Sequence, residues 1–154
     1  MAQTLINIKG DVRDAASLTV PADRTFRGAW TFNGNAIEID PVKQREIFRR
    51  LVTEERDRRM AALAAGYTAS ERETWPVQVE EAKAVLADPN APTPLLTALA
   101  AVRGQDVPTL ANHVLTLAAQ FSAGTGAIMA KARALAEVDL IPDDYTDDSY
   151  WVDA

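Results

Sequence analysis

The clearest change of pattern along this chain comes at residue 40, where short runs of β-branched and aromatic residues give way to helical spacing. Before it, Thr25-Phe26-Arg27-Gly28-Ala29-Trp30-Thr31-Phe32 and Ala36-Ile37-Glu38-Ile39-Asp40 flank Asn33-Gly34-Asn35. Two such runs around Asn-Gly predict a β-hairpin over about 26–39. A lone hairpin is marginal in water, so its apolar face, with Trp30 and Ile37, needs cover from a helix, an N-terminal strand or another chain. Residues 1–24 show no convincing period. Thr4-Leu5-Ile6-Asn7-Ile8 reads as a short strand before the turn-prone Lys9-Gly10-Asp11, and Pro21-Ala22-Asp23 reads as a connector.

Asp40-Pro41 predicts a helix start, with Asp40 as N-cap and Pro41 where a missing N–H costs nothing. This helix is expected to run to about Ala65 and to stop at Gly66 in a left-handed cap. Ile47, Phe48, Leu51 and Val52 give its first half an apolar face, whereas Glu54 to Arg59 is charged all round. A stretch with no apolar face is expected to be exposed, as in a helix bridging two modules. Ser70 and Glu73 form a capping-box pattern for a second helix, which carries Trp75, Val79, Ala82 and Leu86 on one face and ends at Asp88-Pro89. Leu95 to Val102 is a short helix that Gly104 terminates. Asp106-Val107-Pro108 opens a longer one with Leu110, Val114, Leu117 and Phe121 on one side, resumed by Ile128, Leu135 and Val138. Gly124 and Gly126 each cost about 1 kcal/mol relative to alanine in a helix interior, so a kink or break is expected there.

Charge sharpens this outline. The net charge is -6 over 154 residues, but Glu137 to Ala154 holds seven acids and no base, while Lys43 to Arg59 holds seven bases against four acids. The overall balance disfavours general nucleic-acid binding, which needs a sustained basic face. Pro142 to Ala154 reads as an extended acidic tail, and Tyr145, Tyr150 and Trp151 set it apart from a plain solubilising terminus. Aromatics among acids suit docking onto a partner.

Candidate chemistry is sparse. The chain has no cysteine, which removes disulfides, thiolate nucleophiles and cysteine zinc sites. His113 is the one histidine, on a predicted amphipathic helix without a partner in sequence. The tail carboxylates lack the glycine and closing glutamate of an EF-hand loop. Gly124-Thr125-Gly126 has no following lysine and is not a phosphate loop. No apolar run reaches membrane-spanning length, and no secretory signal opens the chain. The expectation is therefore a protein with no catalytic residues, no cofactor and no metal, acting through partners.

Two stretches carry a resemblance. Pro21-Ala22-Asp23-Arg24-Thr25-Phe26-Arg27-Gly28-Ala29-Trp30, then the hairpin and Lys43-Gln44-Arg45-Glu46-Ile47, resembles the start of small proteins from the tail regions of tailed bacteriophages and prophages. Glu73-Thr74-Trp75-Pro76, Glu80-Glu81-Ala82, Pro92-Thr93-Pro94-Leu95-Leu96 and Ala101-Val102-Arg103-Gly104 resemble a helical module of phage tail-fibre assembly proteins. The resemblance covers roughly residues 21–138. It implies a tail-associated protein that binds a tail fibre or baseplate component, as an assembly chaperone or as a structural virion component, present in the host cytoplasm during assembly or in the virion tail. The acidic tail departs from the basic, aromatic C-terminal segment of the better-known chaperones. A small acidic regulatory or DNA-mimicking binder is the alternative.

The sequence thus predicts a mainly α protein in four parts: a β-hairpin module at 1–40, a bridging helix at 41–66, a helical domain at 67–138 and an acidic aromatic tail at 139–154. Candidate partner-binding residues are Phe26, Trp30, Phe32, Tyr145, Tyr150 and Trp151. A homo-oligomer is left open, since no sustained heptad repeat specifies one.

Overall fold

Asp40 sets where the helical part of the protein begins: its carboxylate accepts from the backbone N–H groups of Val42 (3.0 Å) and Lys43 (3.2 Å), and Pro41 is the first helical residue. In the computed structural model, which describes residues 5–8, 11–21, 24–34 and 36–151, four helices follow from that point. These are α1 (Pro41–Leu63), α2 (Ala69–Ala87), α3 (Pro94–Arg103) and α4 (Val107–Ala136). The chain is mainly helical behind a small β region, as the pattern predicts.

The β region holds two separate antiparallel pairs. Strands β1 (Leu5–Ile8) and β2 (Asp11–Asp14) pair with Leu5 opposite Asp14; β2 has no counterpart in the sequence reading. Thr4 and the Lys9-Gly10 part of the expected turn lie outside the described residues, as do Ala22 and Asp23 of the expected connector. Strands β3 (Trp30–Phe32) and β4 (Ile37–Ile39) form the expected hairpin, with Trp30 opposite Ile39 and Phe32 opposite Ile37. Its first arm is shorter than predicted. Phe26 to Ala29 is a 3-10 turn that places Phe26 and Ala29 in the interior, because Ala29 N–H bonds to Phe26 C=O (2.8 Å) instead of to a strand. Asn35 lies outside the described residues.

Three helix boundaries differ from the pattern. α1 ends at Leu63, and Gly66 does not take the left-handed conformation; that cap belongs to Gly104, at φ 64°, behind α3. α2 starts two residues early. Thr68 and Glu71 form the reciprocal capping box, with Thr68 accepting from Glu71 N–H and Glu71 from Thr68 N–H (2.7 Å), so Pro76 falls inside the helix. α4 runs unbroken through Gly124 and Gly126, where a break was expected. Gly124 faces Leu63 of α1: a Cβ there would lie 3.4 Å from a Leu63 methyl, an ordinary van der Waals contact.

Two hydrophobic clusters hold the helices. One joins Ala82 and Val85 of α2, Leu96 and Ala100 of α3, and Leu110, Ala111 and Val114 of α4. Val85, not the expected Leu86, faces inward, and Leu86 is exposed. The carboxylate of Glu81 on α2 accepts from the backbone N–H groups of Leu95 (3.3 Å) and Leu96 (2.8 Å), satisfying the open start of α3 from a neighbouring helix. The other cluster combines Phe26, Phe48 and Val52 of α1, Ile128, Ala132 and Leu135 of α4, and Trp151. It draws on all four parts that the sequence pattern separates, so one core ties the hairpin region, α1, α4 and the C-terminal segment together.

Candidate docking surfaces

The charged stretch of α1 is where the structure departs most from the sequence expectation. Glu55 is buried, at 7% exposure. Its carboxylate accepts from Arg58 Nε (2.7 Å) and Nη2 (2.5 Å), one helical turn away, and from Arg59 Nε (2.7 Å). A buried carboxylate is tolerated only when paired and hydrogen-bonded, and two guanidinium groups meet that condition. The hydrogen bonds from Arg58 hold the Glu55 carboxyl below its usual range, against the opposing effect of burial, with Arg59 adding to the lowering.

Arg59 then reaches the C-terminal segment. Its Nη2 donates to Thr146 C=O (2.8 Å) and pairs with Asp148 Oδ1 (2.8 Å), while its guanidinium carbon stands 5.0 Å from the centre of the Trp151 ring. The Trp151 indole N–H donates to Tyr145 C=O at 2.7 Å. At the other end of the segment, Arg45 donates to Val138 C=O and to Asp139 C=O (2.9 Å), holding the backbone just beyond the end of α4. The described part of the tail, through Trp151, is therefore folded onto α1 and is not the extended segment that the pattern predicts. One face of the charged stretch, Glu55 and Arg59, is covered by the acidic, aromatic segment, whereas Glu54, Asp57 and Arg58 stay exposed as the pattern predicts.

The six candidate partner-binding residues separate accordingly. Phe26 and Trp151 are buried, at 3% and 2% exposure, so both are engaged within the chain. Tyr145 is half-buried, with its ring edge against Phe48 at 5.8 Å between centroids, and burial pushes its hydroxyl pKa up. Tyr150 is half-buried and donates to Asp144 (3.1 Å), which raises its hydroxyl pKa. Trp30 and Phe32 are half-buried on the hairpin, where Arg13 stands over the Phe32 ring at 5.5 Å. The hairpin pair lies apart from the tail trio in sequence, and Phe26 and Trp151 meet in one core instead of on one surface.

A different aromatic group does reach solvent. Tyr67, Trp75 and Phe121 stack edge to face, with centroids 5.0 Å and 5.3 Å apart, and link the turn after α1 to α2 and α4. Tyr67, Phe121, Leu63 and Leu117 are all exposed, and Trp75 is half-buried between the two rings. The helical spacing of Trp75, Leu117 and Phe121 marked a core face. Only the join of three helices turns it outward, and Tyr67, in a loop, carried no periodic signal.

His113 is exposed on α4. Among the described residues, no three histidine, aspartate or glutamate side chains are grouped so as to hold a metal ion, and no helix is long and apolar enough to cross a membrane. Comparison with protein-family models, with curated proteins and with solved structures finds no match to this chain.

Proposed function

We propose that this chain is a non-catalytic binding protein of the tail region of a tailed bacteriophage, attaching to a tail fibre or baseplate component as an assembly chaperone or as a virion component. The observation that carries the binding part of this reading is the exposed aromatic row Tyr67-Trp75-Phe121 flanked by Leu63 and Leu117. Contiguous exposed apolar groups of this kind mark interaction sites, and aromatics contribute most at the centres of interfaces. The phage assignment rests on the resemblance of residues 21–138, whose Glu73-Thr74-Trp75-Pro76 motif includes the central ring of that row. The acidic binder has less support, because Asp148 and Glu137 are already paired with Arg59 and Arg49 of the same chain.

Co-expression with the fibre and baseplate genes of the same phage tests the proposal. A stable complex, weakened by Tyr67→Ser together with Phe121→Ser, is the expected result. A chain that co-purifies with no tail protein overturns it. Mass spectrometry of purified particles then separates virion component from chaperone.

A further inference from the structure

The face that α1 and α4 share is covered by the chain's own C-terminal segment, residues 138–151, which packs Trp151 into it. Among the described residues, the backbone hydrogen bonds of its distal half are internal: Asp147 N–H to Asp144 C=O (2.7 Å), Tyr150 N–H to Asp147 C=O (3.2 Å) and Trp151 N–H to Asp148 C=O (2.9 Å). The indole N–H closes on Tyr145 C=O within the same unit. Val138 N–H closes on Leu135 C=O of α4 (3.4 Å); beyond that residue, among the described residues, the helices hold the segment through arginine side chains of α1, namely Arg45 and Arg59. The segment can therefore lift as a preformed piece without opening any helical ladder. Its connection to α4 is irregular and solvated, with Leu140 87% exposed.

The chemistry of the seat is specific. An apolar floor of Phe48, Val52, Ile128 and Leu135 takes the indole, and beside it α1 presents Arg59 over the ring and Arg45 at the start of the segment. Opposite Arg59 lies Asp148 of the segment, paired with it at 2.8 Å, with Asp147 near enough to feel its charge. Charge complementarity of this kind selects partners and sets register more than it adds stability. A tryptophan needed only to fill the core would not require it.

Resting on the reading of this chain as a binding protein, we infer that this face docks a partner's acidic segment anchored by a tryptophan, and that residues 138–151 occupy it in cis until such a segment displaces them. The docking is a strand-free exchange of one anchored segment for another. Arg59 clasps whichever is seated, through its ring contact and its carboxylate partner.

The test uses the full chain and a fluorescein-labelled synthetic peptide of residues 138–154 as the probe, read by anisotropy. Trp151→Ala, which removes the anchor in cis, is expected to bind the peptide at least tenfold more tightly than the unaltered chain. Adding Arg59→Gln is expected to reverse that gain, and a scrambled peptide of the same composition is expected not to bind. Absence of binding to a Trp151→Ala chain that keeps its helical circular dichroism overturns the inference, as does equal binding of the scrambled peptide. Should Trp151→Ala not fold, hydrogen exchange on the unaltered chain decides: saturating peptide should speed exchange at 144–151 while α4 amides stay protected, and unchanged exchange overturns the inference. A concentration-dependent dimer that trades these segments also overturns it, since the occupant is then a second copy. Failure here leaves the tail-protein complex untouched, because that complex is read by co-purification through Tyr67 and Phe121.

Discussion

The guanidinium of Arg59 lies over the indole of Trp151, 5.0 Å from the ring centre, while the same side chain is held from below by the buried carboxylate of Glu55 at 2.7 Å. The charge that makes this stretch of α1 look solvent-facing is thereby used inside the molecule. The pair with Asp148 adds little, since that carboxylate is 79% exposed. The effect of Arg59 must come chiefly from Glu55 and Trp151, with the hydrogen bond to Thr146 C=O beside them. Arg59→Met is accordingly expected to destabilise the fold by about 2–3 kcal/mol, because it removes one partner of a buried carboxylate and a shielded cation–π contact. Arg50→Met, in an exposed pair with Glu54, should change stability by less than about 0.5 kcal/mol. Urea denaturation of the two variants checks the contrast, and equal losses would contradict it.

Trp151 tests whether the C-terminal segment belongs to the core. Its side chain is among the largest fully buried ones in the described structure. Trp151→Ala should cost about 3–5 kcal/mol, the range for removing a buried aromatic. A loss near zero would mean that the segment is not packed in solution. Trp151→Phe, which keeps a ring but loses the indole N–H to Tyr145 C=O, should fall between.

Acid should loosen the same region. The folded Glu55 carboxyl titrates below its unfolded value, chiefly because Arg58 hydrogen-bonds the charged form. Its contribution to stability is therefore complete above the ordinary glutamate pKa of about 4.3 and is lost as pH falls through the depressed folded value. Glu55→Gln cannot follow that titration. The stability gap between the unaltered chain and Glu55→Gln, measured by urea unfolding at a series of pH values, should be widest at neutral pH and close on the acid side. A gap independent of pH would refute the linkage.

The sequence made the helix starts at Asp40 and Asp106 and the stop at Gly104 legible because each rests on local backbone chemistry. The start of α2 was placed two residues late for the same local reason: Ser70 with Glu73 satisfies the pattern as well as Thr68 with Glu71, and the structure uses the latter. The pairing of α1 with the C-terminal segment was not legible at all. Glu55, Arg58 and Arg59 have the spacing of a helical ion-pair group, yet the burial of Glu55 and Arg59 depends on a segment almost 90 positions further along, and periodicity along one helix carries no information about a distant cover. Tyr145, Tyr150 and Trp151 were marked as suited to docking onto a partner. Their surface turned out to be this chain's own first helix.

Thr68→Ala against Ser70→Ala separates the two registers by experiment. Thr68 accepts from Glu71 N–H while Glu71 accepts from Thr68 N–H, so losing the hydroxyl leaves an orphan donor at the helix start and should cost about 1 kcal/mol. Ser70 is exposed within the first turn, and Ser70→Ala should be neutral or slightly stabilising, since alanine is the better helix former. A larger loss at Ser70 than at Thr68 would place the cap two residues later.

Gly126 offers the corresponding test for α4. It lies in the interior of an unbroken helix, its φ is not in the left-handed region, and a Cβ added there would meet nothing within 4 Å. Gly126→Ala should therefore stabilise the protein by about 0.5–1 kcal/mol, through helix propensity and a less flexible unfolded chain. Gly124→Ala gains the same backbone term, but its Cβ would touch Leu63 at 3.4 Å, an ordinary contact, so the gain should survive. Gly104→Ala must go the other way, because φ 64° strains any residue with a Cβ. If α4 were instead broken near Gly124, alanine at 124 and 126 would force a helix on a bend and both variants would melt below the unaltered chain. The sign of the shift in thermal midpoint therefore reads the continuity of α4 directly, and with it the alignment that brings Ile128, Ala132 and Leu135 onto Phe48 and Trp151.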